Sequence, residues 1–184
     1  HLKDIRTLNL RNNRLGVAAP TLLSSVNFAH LRVIDVAQNQ LRTQALQLLA
    51  GGVRQAPHLH HLDVGSCGMK EEDGVTLVAC LRHCRSLRCL IMCNNSLGDV
   101  TAAELGLLFA GEAVGKVARD EVVSSSAAVM AGALSPTSVG ISEGRDGIGG
   151  KRVLQGYHKA LGTALLEADV SWNRMGPLGL AVLF

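Results

Sequence analysis

The apolar positions of this chain follow neither the period of a helix nor the plain alternation of a strand. In LRVIDVAQNQL, residues 31–41, they fall at Leu31, Ile34, Val36 and Leu41, with Asn39 before the last. The same template, L-x-x-L-x-L-x-x-N-x-L, reads through IRTLNLRNNRL (5–15) and LRCLIMCNNSL (87–97). It also reads through LHHLDVGSCGM (59–69), with Cys67 in the Asn position, and LLEADVSWNRM (165–175), with Ala168 in one Leu position. Starts at 5, 31, 59 and 87 are separated by 26, 28 and 28 residues. A fixed period of this size marks a repeat architecture.

Each part of the template has a physical reason. The x-L-x-L-x piece predicts a short strand whose alternate residues face inward. Asn then turns the chain, its amide satisfying backbone groups that the bend would leave unpaired. Helical spacing follows the turn: Leu77 with Leu81, Val100 with Ala103 and Leu107, and Val153 with Tyr157 and Leu161. One unit cannot bury its own apolar face. Stacked units share a continuous core and a parallel sheet, at about 4.8 Å per strand.

These segments resemble the leucine-rich repeat family, and its ribonuclease-inhibitor-like subgroup in particular. NRLG, NSLGD and NRMG after the strands carry the likeness, as do the 28-residue step, the Cys in an Asn position and GVTLVACLRHCRSLRCLIM at 74–92. The resemblance implies an α/β fold: a leucine-rich repeat solenoid, or horseshoe, with short parallel strands on the concave face and helices on the convex face. Four clear repeats fill 1–110, with strands near 7–10, 33–36, 61–64 and 89–92. From Leu87 to Leu165 is 78 residues, or three steps of 26, room for two further repeats. One degenerate repeat is expected within 135–184, with Val139 and Ile141 as its strand residues, ahead of a clear repeat with its strand near 167–170. Residues 111–134 lack the template and read as an irregular or partly helical insertion. Such insertions emerge as loops on one face; SSS and SPT are weak phosphorylation candidates nearby. Neither end shows the polar cap that an exposed array end needs, so a segment of a longer array is expected.

Composition narrows the class. With 47% hydrophobic and 18% charged residues the chain is not a disordered polymer. A net charge of +3 is too small to argue for nucleic acid. No apolar run approaches the roughly 20 residues of a membrane-spanning helix. Five cysteines, an odd number without a disulfide-framework spacing, point to a reducing compartment, so an intracellular, cytoplasmic location is expected.

Candidate chemistry is thin. Cys89 and Cys93 share a sheet face but lie roughly 13 Å apart along it, too far for one zinc ion whose sulfur bonds are about 2.3 Å. Cys80 and Cys84, at i and i+4 on a helix, read as buried structural thiols. His30 and His58 stack as surface residues, and His61 beside Cys89 is the only adjacent soft-ligand pair. GRDGIGGKR (144–152) fails the phosphate-loop pattern because Arg145 and Arg152 stand where Gly and Ser or Thr are needed. NNS at 94–96 is formally a glycosylation sequon, but its second Asn is already the turn residue. With no nucleophile–base or paired-carboxylate set, neither a catalytic residue nor a cofactor or metal is expected.

The register names an outward sheet face. Its central row is Asn9, Asp35, Asp63, Ile91 and Asp169; Thr7, Val33, His61, Cys89 and Glu167 flank it on one side, Arg11, Ala37, Gly65, Cys93 and Ser171 on the other. Candidate partner-binding residues are Asn9, Arg11, Asp35, His61, Asp63, Ile91, Glu167, Asp169 and Trp172. An acidic row in a basic chain favours a basic or polar partner surface; alternatively, Asp between strand leucines belongs to the family template. Trp172 either anchors an interface at the rim or packs against the adjacent repeat. The expected function is a non-catalytic module that presents this face to a partner protein. Two alternatives are the sensing or autoinhibitory repeat region of a NOD-like receptor, and a repeat protein acting in trans like the Ran GTPase-activating proteins, through loop arginines such as Arg11, Arg14 or Arg42.

Overall fold

A computed structural model describes residues 4–110, 153–155, 165–177 and 179. Strands β1 (Thr7–Asn9), β2 (Val33–Asp35), β3 (His61–Asp63), β4 (Cys89–Ile91), β5 (Val153–Gln155) and β6 (Glu167–Asp169) form one sheet in the order β1-β2-β3-β4-β6-β5. Each of the first four is followed by a helix: α1 (Ala19–Ser24), entered through a short 3-10 turn at Gly16–Ala18, then α2 (Thr43–Arg54), α3 (Glu71–Leu81) and α4 (Asp99–Ala110). β1 to β4 and β6 run parallel; β5 alone is antiparallel, against β6. This is an α/β repeat fold.

The template leucines build the core. Leu8, Ile34, Leu62, Leu90 and Ala168 stand opposite one another across the five parallel strands. All but Leu8 are buried, and they join one cluster with Leu31, Leu59, Leu87 and Leu165 from the strand entries. Helices close over them through Leu46, Leu49 and Val53 of α2 and Leu77, Val78 and Leu81 of α3. The helix layers approach closely: a Cβ on Gly52 would sit 2.4 Å from the Phe28 ring, and one on Gly74 2.6 Å from a Leu97 methyl.

Asn39 and Asn95 hold the turns together between repeats. The Asn39 carbonyl accepts the N–H groups of Asn13 and Leu15, and its amide donates to the carbonyls of Leu10, Val36 and Ala37. Asn95 does the same for Cys67 and Met69 and for Val64, Met92 and Cys93. Cys67 reproduces half of this role: its thiol donates to the Val36 carbonyl at 3.3 Å. Lacking the amide oxygen, it leaves the Leu41 N–H to the Cys67 backbone carbonyl at 3.0 Å. Burial pushes that thiol up to about 12.

Carboxylates tie successive helices together. Glu71, at the start of α3, accepts the N–H groups of Gly98, Val100 and Thr101 and the Thr101 hydroxyl, so it caps α4 from the preceding repeat. Asp99, 28 residues on, accepts the Gly176 N–H at 2.6 Å.

β4 and β6 pair directly, Cys89 opposite Glu167 and Leu90 opposite Ala168. One expectation is corrected. Val153, read as the start of a helix, begins β5 instead; pairing with the edge of β6 satisfies backbone groups there, and a β-branched residue suits a strand. Residues 111–134, Val139, Ile141 and the arginines of 144–152 lie outside the described residues.

Candidate functional site

The central outward row is a ladder: Asn9, Asp35, Asp63, Ile91 and Asp169 are register partners on adjacent strands. At each Asn or Asp, one side-chain oxygen folds back onto the chain. Asn9 accepts the Arg11 N–H at 3.1 Å, Asp35 the Ala37 N–H at 3.0 Å and Asp63 the Gly65 N–H at 2.9 Å. Asp169 accepts both the N–H and the hydroxyl of Ser171 with the same oxygen, Oδ1. These are side-chain turns that end each strand, so the row has a folding role of its own. Ile91 interrupts it.

The other carboxylate oxygens are handled differently along the ladder. Arg11 Nη1 lies 2.7 Å from Asp63 Oδ2 and 3.4 Å from Asp35 Oδ2. That guanidinium crosses two strands and is held above its ordinary pKa, chiefly by the hydrogen bond it donates to Asp63. Within the acidic row, Asp63 and Asp169 are buried, and Asp35 and Asp63 are neutralised from within the chain. Parallel strands crowd the carboxylates, and a cation one strand away relieves the repulsion.

Of the remaining candidates, Asn9, Arg11, Glu167 and Trp172 are exposed, while Asp35, His61 and Ile91 are half-buried. His61 faces Cys89 across the β3–β4 pair. No group of three or more His, Cys, Asp or Glu side chains among the described residues is placed to hold a metal ion. Two thiols, Cys89 in β4 and Cys93 just past it, lie near these carboxylates. Burial first, then Glu167, Asp63 and Asp169, push Cys89 up to about 11. Cys93 is raised by burial and then by Asp169 and Asp63, with Arg11 opposing.

Trp172 stands apart from the ladder. It is 62% exposed and has φ +58°, the left-handed region. Asn12, Gln38, Ser66 and Asn94 occupy the equivalent turn position with the same sign of φ. Asn, Ser and Gln are small or polar there; for a bulky aromatic the conformation costs about 1–2 kcal/mol. Trp172 is thus largely exposed. The spacing alone hid this strain, although the alignment of Trp172 with Asn94 under the template was a usable signal. It hid the Arg11 bridge more completely, because Arg11 reaches residues 24 and 52 positions away.

The profile of the family described as Leucine Rich repeat matches residues 55–78, the stretch that holds β3 and most of α3. With the five repeated strand–turn units, this supports a leucine-rich repeat protein. Leucine-rich repeats generally mediate protein–protein interaction and are typically non-catalytic. No curated protein matches the chain. No helix among the described residues is long and apolar enough to cross a membrane.

Proposed function

We propose that this chain is a ribonuclease-inhibitor-like member of the leucine-rich repeats, curved as a horseshoe, and that its concave sheet face binds a partner protein without catalysis. The Cys67 substitution in the Asn position, the near-28-residue step and the helix after each of the first four strands support the subgroup. The observation that carries the binding reading is Trp172. A bulky aromatic held exposed in a left-handed turn, where the other repeats place polar residues, contributes nothing visible to the core, and exposed aromatics of this kind anchor interfaces. Half-buried Ile91 adds apolar area to a row otherwise filled by turn-forming Asn and Asp side chains. All five cysteines are free thiols, and the buried pair Cys67 and Cys84 each donate to a backbone carbonyl, which fits an intracellular, cytoplasmic setting.

Affinity capture from cytosol with wild-type chain and with Trp172→Ala tests this. A specific protein retained by the wild type and lost from the folded variant is the expected result. A retained set that Trp172→Ala and Ile91→Arg both leave unchanged contradicts it.

A further inference from the structure

The residues that enter the strands form a second row across the sheet. Arg6, Arg32, His60 and Arg88 each stand one residue before a strand, from β1 to β4 in turn. The backbone pins them together: the N–H groups of Arg32, His60 and Arg88 donate to the carbonyls of Arg6, Arg32 and His60 at 2.7, 2.8 and 2.9 Å. The three arginines are exposed and His60 is half-buried. The row ends at Leu166, whose N–H donates to the Arg88 carbonyl at 2.8 Å and whose side chain is 56% exposed. The connections into β2, β3 and β4, residues 25–32, 55–60 and 82–88, contain no Asp or Glu, and add exposed His30, His58 and Arg85 to this edge. Asp4 and Glu167 sit beside the two ends of the row. The other carboxylates of the described residues lie on the outward ladder or on α3 and α4.

We propose that this strand-entry edge binds an acidic segment of a protein, an extended run of Asp and Glu side chains laid across the strands from Arg6 to Arg88. It is a second surface, independent of the one built around Trp172 and Ile91. Neighbouring strands are about 4.8 Å apart, so the row spans about 14 Å, the length of about four extended residues. Cations held side by side in register repel one another, and carboxylates laid between them relieve that repulsion. Guanidinium groups stay charged at any working pH and grip a carboxylate through two parallel bonds. Exposed Leu166, at the end of the row, offers a contact to an apolar residue flanking the acidic run. A single-stranded nucleic acid needs ring faces for its bases to stack on. Phe28, the sole Phe, Tyr or Trp in these connections, is buried.

The probe is fluorescein-labelled hexaglutamate amide, titrated against the whole chain by fluorescence anisotropy at low ionic strength, where surface charges are least screened. Labelled hexaglutamine and hexathymidylate, and vesicles of phosphatidylcholine with phosphatidylserine, run in parallel. Saturable binding of hexaglutamate, and none of hexaglutamine, is expected. The triple variant Arg6→Glu, Arg32→Glu, Arg88→Glu should weaken it at least tenfold, and Arg32→Gln alone severalfold. Reversal to Glu at Arg14, Arg42 and Arg174, exposed arginines beyond the strand exits, changes the net charge equally and should alter affinity less than threefold. All six side chains are exposed, so neither triple variant endangers the core. Absence of saturation with hexaglutamate, or an equal loss in the two triple variants, overturns the inference. So does tighter binding of hexathymidylate or of the vesicles than of hexaglutamate.

Discussion

The two ends of the outward sheet face are built on one template and finished differently. Across β1 to β3 the carboxylates are closed: Arg11 bridges Asp35 and Asp63, and the surface there is satisfied within the chain. Across β4 and β6, Ile91 replaces an Asp, Asp169 keeps an oxygen without a described partner, Glu167 is exposed and Trp172 projects from a strained turn. A repeat protein gains its core from what its units share. On the proposed reading, recognition falls to positions where a unit departs from its neighbours without loss of core, and among the described residues those departures collect at one end.

The largest effects should show that the difference stops at the surface. Leu62→Ala and Leu90→Ala remove fully buried rungs from the two ends. Each should cost about 2–5 kcal/mol in urea unfolding. A Leu90→Ala cost far below that of Leu62→Ala would extend the asymmetry into the core and break the comparison. Next in size, Ile91→Arg should weaken capture of a partner by about thirtyfold, an interface loss of about 2 kcal/mol. Val33→Arg, on the closed end, should change it less than threefold; equal losses would make the whole face the binding surface.

Stability should reverse the order. Asp63→Ala removes the nearer Arg11 partner and the acceptor of the Gly65 N–H and should cost about 2 kcal/mol, whereas Asp169→Ala loses, among the described residues, its bonds to Ser171 and should cost about 1 kcal/mol. Equilibrium unfolding of the pair measures this.

The smallest effect is electrostatic. Cys89, at about 11, is protonated at pH 8, so alkylation by iodoacetamide should be slow and accelerate with each step of pH towards 11. Glu167→Gln removes a neighbouring negative charge, lowers that pKa and should speed Cys89 alkylation at pH 9 severalfold. Arg11→Gln removes a stabiliser of the Cys93 thiolate and should slow Cys93 slightly without affecting Cys89. Mass spectrometry of the alkylated peptides resolves the two sites.

Much of the fold was legible because the template fixes which residues are inward. Placing Leu8, Ile34, Leu62 and Leu90 in one spine needs only the spacing, and the strands pair in that register. The interval between β4 and β6 was not legible, since its length of 78 residues is numerically compatible with whole repeats. Length does not say whether a segment enters the sheet. Of the face, the pattern correctly put Asp35, Asp63 and Asp169 in one row, but could not show that each closes its own turn. Local hydrogen bonding depends on the bend after the strand, which hydrophobic periodicity does not encode. The Glu71 and Asp99 caps escaped for a related reason: their acceptors serve the following repeat, 27–30 and 77 residues away.

Isoleucine methyl groups read directly which end of the face binds. Ile34 is buried in the spine, Ile5 packs against the core at the closed end, and Ile91 lies on the outward face of β4. In a carbon-13 methyl spectrum of isoleucine-labelled chain titrated with the protein retained in the affinity capture, the Ile91 resonance should move saturably while those of Ile34 and Ile5 stay in place. Movement at Ile5 with Ile91 unchanged would put the binding end at β1 and contradict the account.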